Sequence, residues 1–572
     1  MSEFAILPMD QPFLWRQISK CFVVQKNLLR PSNLKGMKPI PTCAFPGDRM
    51  ANLRKTDSKP IALNKPTNRR QQSLLEAIWS SLIWGSLDRL TSLIKHVFIA
   101  SAIGLSAELD VFYMANALLT LFVNSWSRIA DVIAVPRLVA LTHEGHDDSA
   151  RRLTGDLFTL SCVFSLSLGT LLTVFWPSIC HLAWGFDASR MSLLEEAVHY
   201  AEPLILLTIP VSMLYSFAKA RKAFYLRYRN DFLTSITILG CVTLYPESPG
   251  VLIWSFSLGT ILSFLIAIAE SRKSASFLGN PLSSEVKYLL PMAPLLLVFF
   301  GVEYLYALVN RQFVSFLPQG TVSAVAYAWT LAKLLPGLLR IDGAFMTFYA
   351  ESQHRPKERA DRVNSLISTG IAVGICLSFI IFEYSEPFIR LALERGKFNP
   401  ENTRLVAHCT GYFGLSMIPF LLMPALGQIC QVENRMKILM RRTLFGLMLN
   451  IGFGSLFLFK FNWGAEGVSI ATSISQWGML LASMALMGRL SIGVNYPRHI
   501  FWFLSTLIYG AAALSIARQL PQIAPGNWNA LLESMSFLLF FALPILLGKG
   551  SDSAVARILM KRGLSRIGII KV

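Results

Sequence analysis

The chain has 572 residues, 53% of them apolar and only 15% charged, with a mean hydropathy of +0.48. Soluble domains carry nearer a quarter charged residues, so the composition excludes a soluble protein and points to an integral membrane one. The formal net charge of +19 does not point to nucleic acid, because the positive residues are segregated by loop instead of gathered in one patch.

Residues 1–72 hold thirteen Lys/Arg against four Asp/Glu, several prolines and no sustained periodicity. That is the composition of a disordered basic cytoplasmic tail. No short apolar core with a small-residue cleavage site occurs there, so no signal peptide is expected, and Met50 offers an alternative start. From about residue 73 onward fourteen apolar segments of membrane-spanning length follow one another, at roughly 75–103, 109–136, 155–184, 196–218, 231–246, 250–270, 287–317, 322–350, 363–389, 403–431, 438–460, 464–488, 498–518 and 528–548. The expected fold is an all-α polytopic membrane protein. Its expected parts are a first six-helix half (73–271), a second (272–489), two extra C-terminal transmembrane helices (490–548) and a basic cytoplasmic tail (549–572).

Positive residues fall in alternate loops: Arg151 and Arg152, the Lys219–Arg229 region, Arg272 and Lys273, Arg355–Arg362, Arg435–Arg442 and the C-terminal tail. The opposite loops are almost free of Lys and Arg, except 390–404 with Arg390, Arg395, Lys397 and Arg404. The positive-inside rule then puts both termini in the cytoplasm and makes anionic phospholipids the partners of the basic loops. Eight cysteines are scattered singly, with no Cys-x-x-Cys pair, so no disulfide framework, metal or other cofactor is indicated.

The chain repeats itself weakly. "VFIASAIGLSAELDVFYMANALL" resembles "QFVSFLPQGTVSAVAYAWTLAKLL", pairing Tyr113 with Tyr327, and a second pair of stretches matches Pro210 with Pro419. Both spacings are close to 210 residues. An even number of spans fits that interval, so the copies run in parallel across the membrane, with a central cavity expected between the halves.

The first span is two-sided. At about 100° per residue, Gly85, Asp88, Arg89, Ser92, Lys95 and His96 share one sector, and leucines, isoleucines and aromatics fill the rest. An isolated cation in hydrocarbon costs about 2.5–3.5 kcal/mol even on the lenient scale. These charges must therefore face protein or water, either as buried ion pairs or as a cavity lining. Asp110, at the start of the second span, reads equally as a helix cap and as a functional carboxylate. In the second half Thr330, Lys333, Gly337, Arg340 and Ala344 share one face, with Pro336 permitting a bend. Arg128 and Asp131 read as a self-contained i,i+3 pair, and Glu202, Glu383 and His408 as locally satisfied polar groups. A cavity lined mainly by cations suits an anionic substrate, and Arg and Lys suit phosphate oxygens.

The stretch "PMAPLLLVFFGVEYLYALVNRQFVSFLPQGTVSAVAYAWTLAKLLPG" (Pro291–Gly337) resembles the seventh and eighth spans of the MviN/MurJ-type lipid II flippases, in the MATE-like multidrug/oligosaccharidyl-lipid/polysaccharide exporter superfamily. Arg89, Lys95 and Asp110 fall where that family carries arginine, arginine and aspartate, and "LERGKFNPENT" (Leu393–Thr403) resembles its loop before the tenth span. The likeness covers about 75–490. Departures are Val123 and Asn124 in place of an arginine pair, Leu331 in place of the eighth-span arginine with Lys333 two residues on, and His96 in place of an acid.

The resemblance implies a flippase of the bacterial inner membrane that moves a lipid-linked anionic glycan diphosphate outward by alternating access. The head is that of lipid II or of an exopolysaccharide precursor. Arg89, Lys95, Lys333 and Arg340 are the expected substrate-binding residues, and Asp88, His96 and Asp110 the gating or ion-coupling ones. Glycan-synthesis enzymes are the protein partners such a role implies. The alternatives are a non-transporting scaffold of an envelope assembly complex and a multidrug or cation antiporter of the same superfamily. No Walker motif or catalytic constellation is present, so no enzyme is expected.

Overall fold

The computed structural model describes residues 74–547 except for 144, 222, 247–249, 273–274, 340–348, 350–354, 434, 489–492 and 520–526. Contacts divide the chain into Met1–Trp79, of which only the opening of the first helix is described, and Ser80–Val572, which carries everything discussed below. The tails 1–72 and 549–572 and the expected site residue Arg340 lie outside the described residues.

The described residues form helices and no strands. The first half comprises α1 (Leu74–Ile103), α2 (Ala107–His143), α3 (Asp147–Cys180), α4 (Ala188–Ala220), α5 (Tyr225–Leu244) and α6 (Val251–Ser271). The second comprises α7 (Ala293–Ser315), α8 (Thr321–Leu339), α9 (Pro356–Leu393), α10 (Pro400–Gly414), α11 (Met417–Val432), α12 (Met436–Ser455) and α13 (Gly464–Gly488). Two more, α14 (Tyr496–Arg518) and α15 (Asn527–Leu547), follow among the described residues. Among the described residues eight helices are individually long and apolar enough to cross a membrane, and the bent pair α10–α11 makes a ninth. The outer surface is apolar, with Val174, Met448, Phe501 and Ile508 all exposed, as lipid contact requires.

The two halves repeat one packing scheme. In the first, α2 packs on α4, α4 on α6 and α5 on α6; in the second, α8 packs on α10, α10 on α13 and α12 on α13. Helix α1 meets α5 through Trp84 and Phe232, with ring centroids 5.7 Å apart, as α7 meets α12. Between the halves α2 lies on α7, and α1 reaches α8, where the Tyr327 hydroxyl donates to the His96 carbonyl at 3.4 Å. Residues near a twofold axis meet their own equivalents. Tyr113 and Tyr327, paired by the sequence repeat, touch edge to face at 6.1 Å. Helices α14 and α15 stand outside the repeat and pack on α9.

The repeated prolines explain one departure from expectation. The segment 403–431 reads as one span, but α10 and α11 meet at a 53° bend. Pro419 has no N–H to give the carbonyl four residues back, and that carbonyl, on Leu415, accepts instead from Trp477 Nε1 at 2.8 Å. Its repeat partner Pro210 strands the Leu206 carbonyl in the same way, and Ser165 Oγ donates to it at 2.6 Å. A neighbouring helix satisfies the freed carbonyl in each half.

One end of the bundle is closed by matching loop contacts between the halves. The α1–α2 turn meets the loop before α10, where Lys397 N donates to the Ser101 carbonyl at 2.8 Å. The α7–α8 turn meets the loop before α4, where Gly185 N donates to Ser315 Oγ at 3.1 Å. Space there admits no side chain: Gly396 has φ +60°, and a Cβ on it would lie 2.3 Å from Ser101 O. Tyr113, Tyr327, Phe398 and Phe413 belong to the apolar core beneath this seal.

Gly396→Ala is therefore expected to destabilise the protein by more than the ~0.4–1 kcal/mol that separates glycine and alanine at tolerant sites, read as a lower melting temperature in detergent. Gly452→Ala in α12, where a Cβ meets nothing within 4 Å, is expected to be neutral or stabilising. Equal shifts for the two variants would show that this contact does not hold the end closed.

Candidate functional site

Below the seal a cavity of about 920 Å³ lies between the halves. Its charged lining is Arg89 of α1, Arg128 of α2, Lys333 of α8 and Arg442 of α12, against the single acid Glu303 of α7 among the described residues. Trp329, Phe420 and Tyr306 contribute aromatic walls. Lys333 is exposed although α8 runs through the bundle interior between α7, α10 and α11, so its side chain opens into the space between the halves. The lining residues of α8 lie toward the end of that helix remote from its turn with α7, so the chamber extends away from the seal.

Each cation is held by a different device. Arg89 Nη1 donates to the Gly337 carbonyl, joining α1 to α8. Lys333 Nζ stands 4.0 Å from the Trp329 ring centroid and 5.4 Å from that of Phe420, so aromatic faces hold its ammonium, with the Glu303 carboxylate within electrostatic reach. Arg128 forms an ion pair with Glu303, and its guanidinium lies 5.4 Å from the Phe300 centroid. Arg442 Nη1 donates to the Met423 carbonyl and to Ser483 Oγ, both at 3.4 Å.

Of the expected substrate-binding residues, the structure brings Arg89 and Lys333 to the chamber. Lys95 is elsewhere: it is buried in the first half, with Nζ 3.4 Å from Ser235 Oγ and 5.4 Å from the Phe256 centroid. Asp88 and Asp231 are within electrostatic reach of it. His96 Nδ1 faces the Ser92 carbonyl at 2.6 Å, and its ring meets Tyr327 edge-on at 5.9 Å. The polar arc of α1 does face protein, while Ile83, Leu87, Leu90, Ile94 and Phe98 stand exposed on the other side.

Asp110 belongs to the seal and not to the chamber. Its own helix is capped by Ser106, whose Oγ accepts from Leu109 N at 3.2 Å. The Asp110 carboxylate, fully buried, accepts from Gly320 N and Ser323 N, both at 2.7 Å. It thus caps α8, the corresponding helix of the other half. Arg190 Nη1 stands 3.8 Å from Asp110 Oδ2. Arg190 Nε also lies 3.4 Å from Asp187, whose carboxyl is held below the usual range mainly by the Arg190 backbone N–H.

The expected Arg128–Asp131 pair does not form. Asp131 accepts from Lys219 Nζ and Ser216 Oγ on α4, each at 2.8 Å, which turns Arg128 toward α7. Neighbours on another helix decided this, and the spacing alone could not show them. Arg442 was also missed, because it sits in a basic run that reads as a topology signal. Its position within α12, next to Arg441 on the outer groove, was the available clue. Glu383 pairs with Arg518, His408 with Glu466 at 2.7 Å, and Glu202 lies 3.6 Å from His199. Among the described residues no group of three His, Cys, Asp or Glu could hold a metal.

The family model described as Lipid II flippase MurJ matches residues 99–539. A protein named probable lipid II flippase MurJ from Rhizobium meliloti (strain 1021) is 24% identical over 519 residues, which cover 83% of this chain and 94% of that protein. One of the same name from Buchnera aphidicola subsp. Acyrthosiphon pisum (strain APS) is 22% identical over 450 residues, 75% of this chain and 87% of its own length. In fold, the chain is similar to a solved structure titled "Lipid II flippase MurJ, inward closed conformation". The TM-score is 0.69 at 18% identity, covering 84% of this chain and 100% of that one. It is also similar to an inward-facing multidrug resistance MATE family transporter of the MOP superfamily, with TM-score 0.53 at 15% identity, covering 73% of this chain and 98% of that one. The chain belongs to the lipid II flippase MurJ family, whose members are multi-pass membrane transporters and not enzymes.

Proposed function

We propose that the chamber receives the diphosphate-sugar head of a lipid-linked glycan and passes it across the inner membrane by alternating access, while the lipid tail stays in the bilayer. The observation that carries this reading is the shared lining of one cavity by cations from both halves, four of them against one acid among the described residues. Phosphate oxygens are matched by guanidinium and ammonium donors, and the head is the part of such a lipid that cannot cross hydrocarbon unaided. Lipid II is the cargo named for the relatives; an exopolysaccharide precursor has the same anionic head. A cationic drug would meet repulsion from this lining. Arg89 and Lys333 grip the diphosphate, with Arg340 as a further candidate, and Lys95 braces α1 against α5. Asp110 serves as the gate, since opening the sealed end must part its carboxylate from α8. Asp88 and His96 are left as the ion-coupling candidates.

By the positive-inside rule both termini lie in the cytoplasm, so the sealed end faces outward and the chamber faces the leaflet where the lipid is made. Anionic phospholipids contact the basic inner loops, and glycan-synthesis enzymes supply the cargo.

The direct experiment is flipping of a lipid diphosphate in proteoliposomes. Each lost charge-assisted hydrogen bond to phosphate is worth about 1.5–3 kcal/mol, so Arg89→Gln and Lys333→Gln are each expected to weaken cargo binding roughly ten- to hundredfold. Transport should fall in parallel at unchanged protein level. Wild-type vesicles that never move the lipid, or variants that move it as wild type does, would overturn the reading. Orientation has its own check. Lys333→Cys should react with a membrane-impermeant thiol reagent added from the cytoplasmic side and not from outside, while Ser323→Cys at the seal stays protected; the reverse pattern would invert the assignment.

A further inference from the structure

The spacing that relates Tyr113 to Tyr327 also relates Arg89 to Glu303. At equivalent places in the two halves, at the chamber wall, the chain therefore carries opposite charges. Arg89 bridges the α1–α8 seam through the Gly337 carbonyl, and Glu303 bridges the equivalent α7–α2 seam through Arg128. Arg128 and Glu303 remain about half exposed to the chamber, at 47% and 54% of their side chains. The pair thus lines the space between the halves, where cargo would contest it.

We propose that Glu303 is a built-in competitor for Arg128. It neutralises and aims the guanidinium in the empty chamber, yields it to the cargo's phosphate on loading, and reclaims it to help the cargo leave. This rests on the reading of the chamber as a diphosphate site. Phe300 lies against the guanidinium, 5.4 Å from its carbon, and restrains it when the carboxylate lets go. Arg128 is thereby a third phosphate-gripping residue, and Glu303 a positioning residue acting through it. The arrangement answers a demand on any transport site, which must bind well enough to load and weakly enough to release. Loading also breaks the α2–α7 tie at the chamber wall, so occupancy and the freedom of the two halves to move are linked.

The test measures binding of farnesyl diphosphate to detergent-purified full-length protein, together with flipping in proteoliposomes. Glu303→Gln is expected to tighten binding roughly two- to fivefold, the size of a half-exposed ion pair, while slowing transport. Arg128→Gln is expected to weaken binding, and Glu303→Gln to tighten it less in the Arg128→Gln background than in the wild type, because Glu303 also stands within electrostatic reach of Lys333 and Arg442 and only the share acting through Arg128 is lost. Glu303→Asp keeps the charge one methylene further from the guanidinium and should shift binding less than Glu303→Gln does, which separates lost charge from damage to the fold. If Glu303→Gln and Arg128→Gln shift binding in the same direction, or if neither shifts it, the pair is only a structural tie and the proposal falls. That failure is separate from failure of the chamber reading. Wild-type binding that Arg89→Gln and Lys333→Gln abolish would keep the chamber as a diphosphate site, whereas a wild type that binds no probe would remove both.

Discussion

An ammonium or guanidinium cannot be left facing hydrocarbon, and the arrangement of this protein follows from that constraint. Placing such a group at mid-membrane costs several kilocalories per mole unless water, an opposite charge or backbone carbonyls receive it. Helix α1 shows the consequence on one element: its apolar arc faces outward, and its charged arc turns toward α5 and α8. Around the chamber, Arg89 meets a backbone carbonyl, Lys333 aromatic faces, Arg442 methionine and serine, and Arg128 the Glu303 carboxylate, which is also within electrostatic reach of Lys333 and Arg442. Each is held in place while the lining as a whole keeps an excess of positive charge, the condition an anionic cargo needs.

Two ends of one bundle do opposite work. At the sealed end, glycine-tight loop contacts, the Tyr113–Tyr327 pair and the Asp110 carboxylate beneath α8 join the halves through buried hydrogen bonds and apolar packing. At the chamber the halves meet through exposed polar links that water and cargo can contest. A buried carboxylate that accepts two backbone N–H groups is costly to withdraw; a half-exposed ion pair is worth little in water. The pseudo-twofold scheme makes both ends symmetric in backbone and asymmetric in charge, as the Arg89 and Glu303 positions show.

Much of this was legible in the sequence, because the strongest signals are those the membrane imposes. Apolar length marked the spans, Lys/Arg depletion marked the α1–α2 and α7–α8 turns of the sealed end though not the 390–404 loop that meets the first of them, and the matched tyrosines marked residues that meet near the pseudo-axis. Arg89 and Lys333 could be selected because a charge at mid-span needs an explanation. What stayed hidden depends on neighbouring helices. Asp131 has a partner on α4 and so leaves Arg128 to α7; Lys95 lies on the polar arc of α1 but is claimed by Ser235 and Phe256. Asp110 reads equally as the cap of its own helix and as a functional carboxylate; Ser106 fills the first role, and Asp110 caps α8 instead. The segment 403–431 reads as one span, yet it bends where Pro419 strands a carbonyl that Trp477 from α13 reaches. Arg442 was masked by the very rule that located its loop.

The central claim is that charges contributed by both halves converge on one diphosphate within the chamber. An experimental structure with a lipid-linked diphosphate bound, in the state whose outer end is sealed, addresses this most directly. The account predicts phosphate density between α1 and α8, with oxygens about 2.7–2.9 Å from the Arg89 guanidinium and the Lys333 ammonium, as charge-assisted hydrogen bonds require. A head group bound outside the chamber, with Arg89 still on the Gly337 carbonyl and Lys333 still on Trp329, would contradict it.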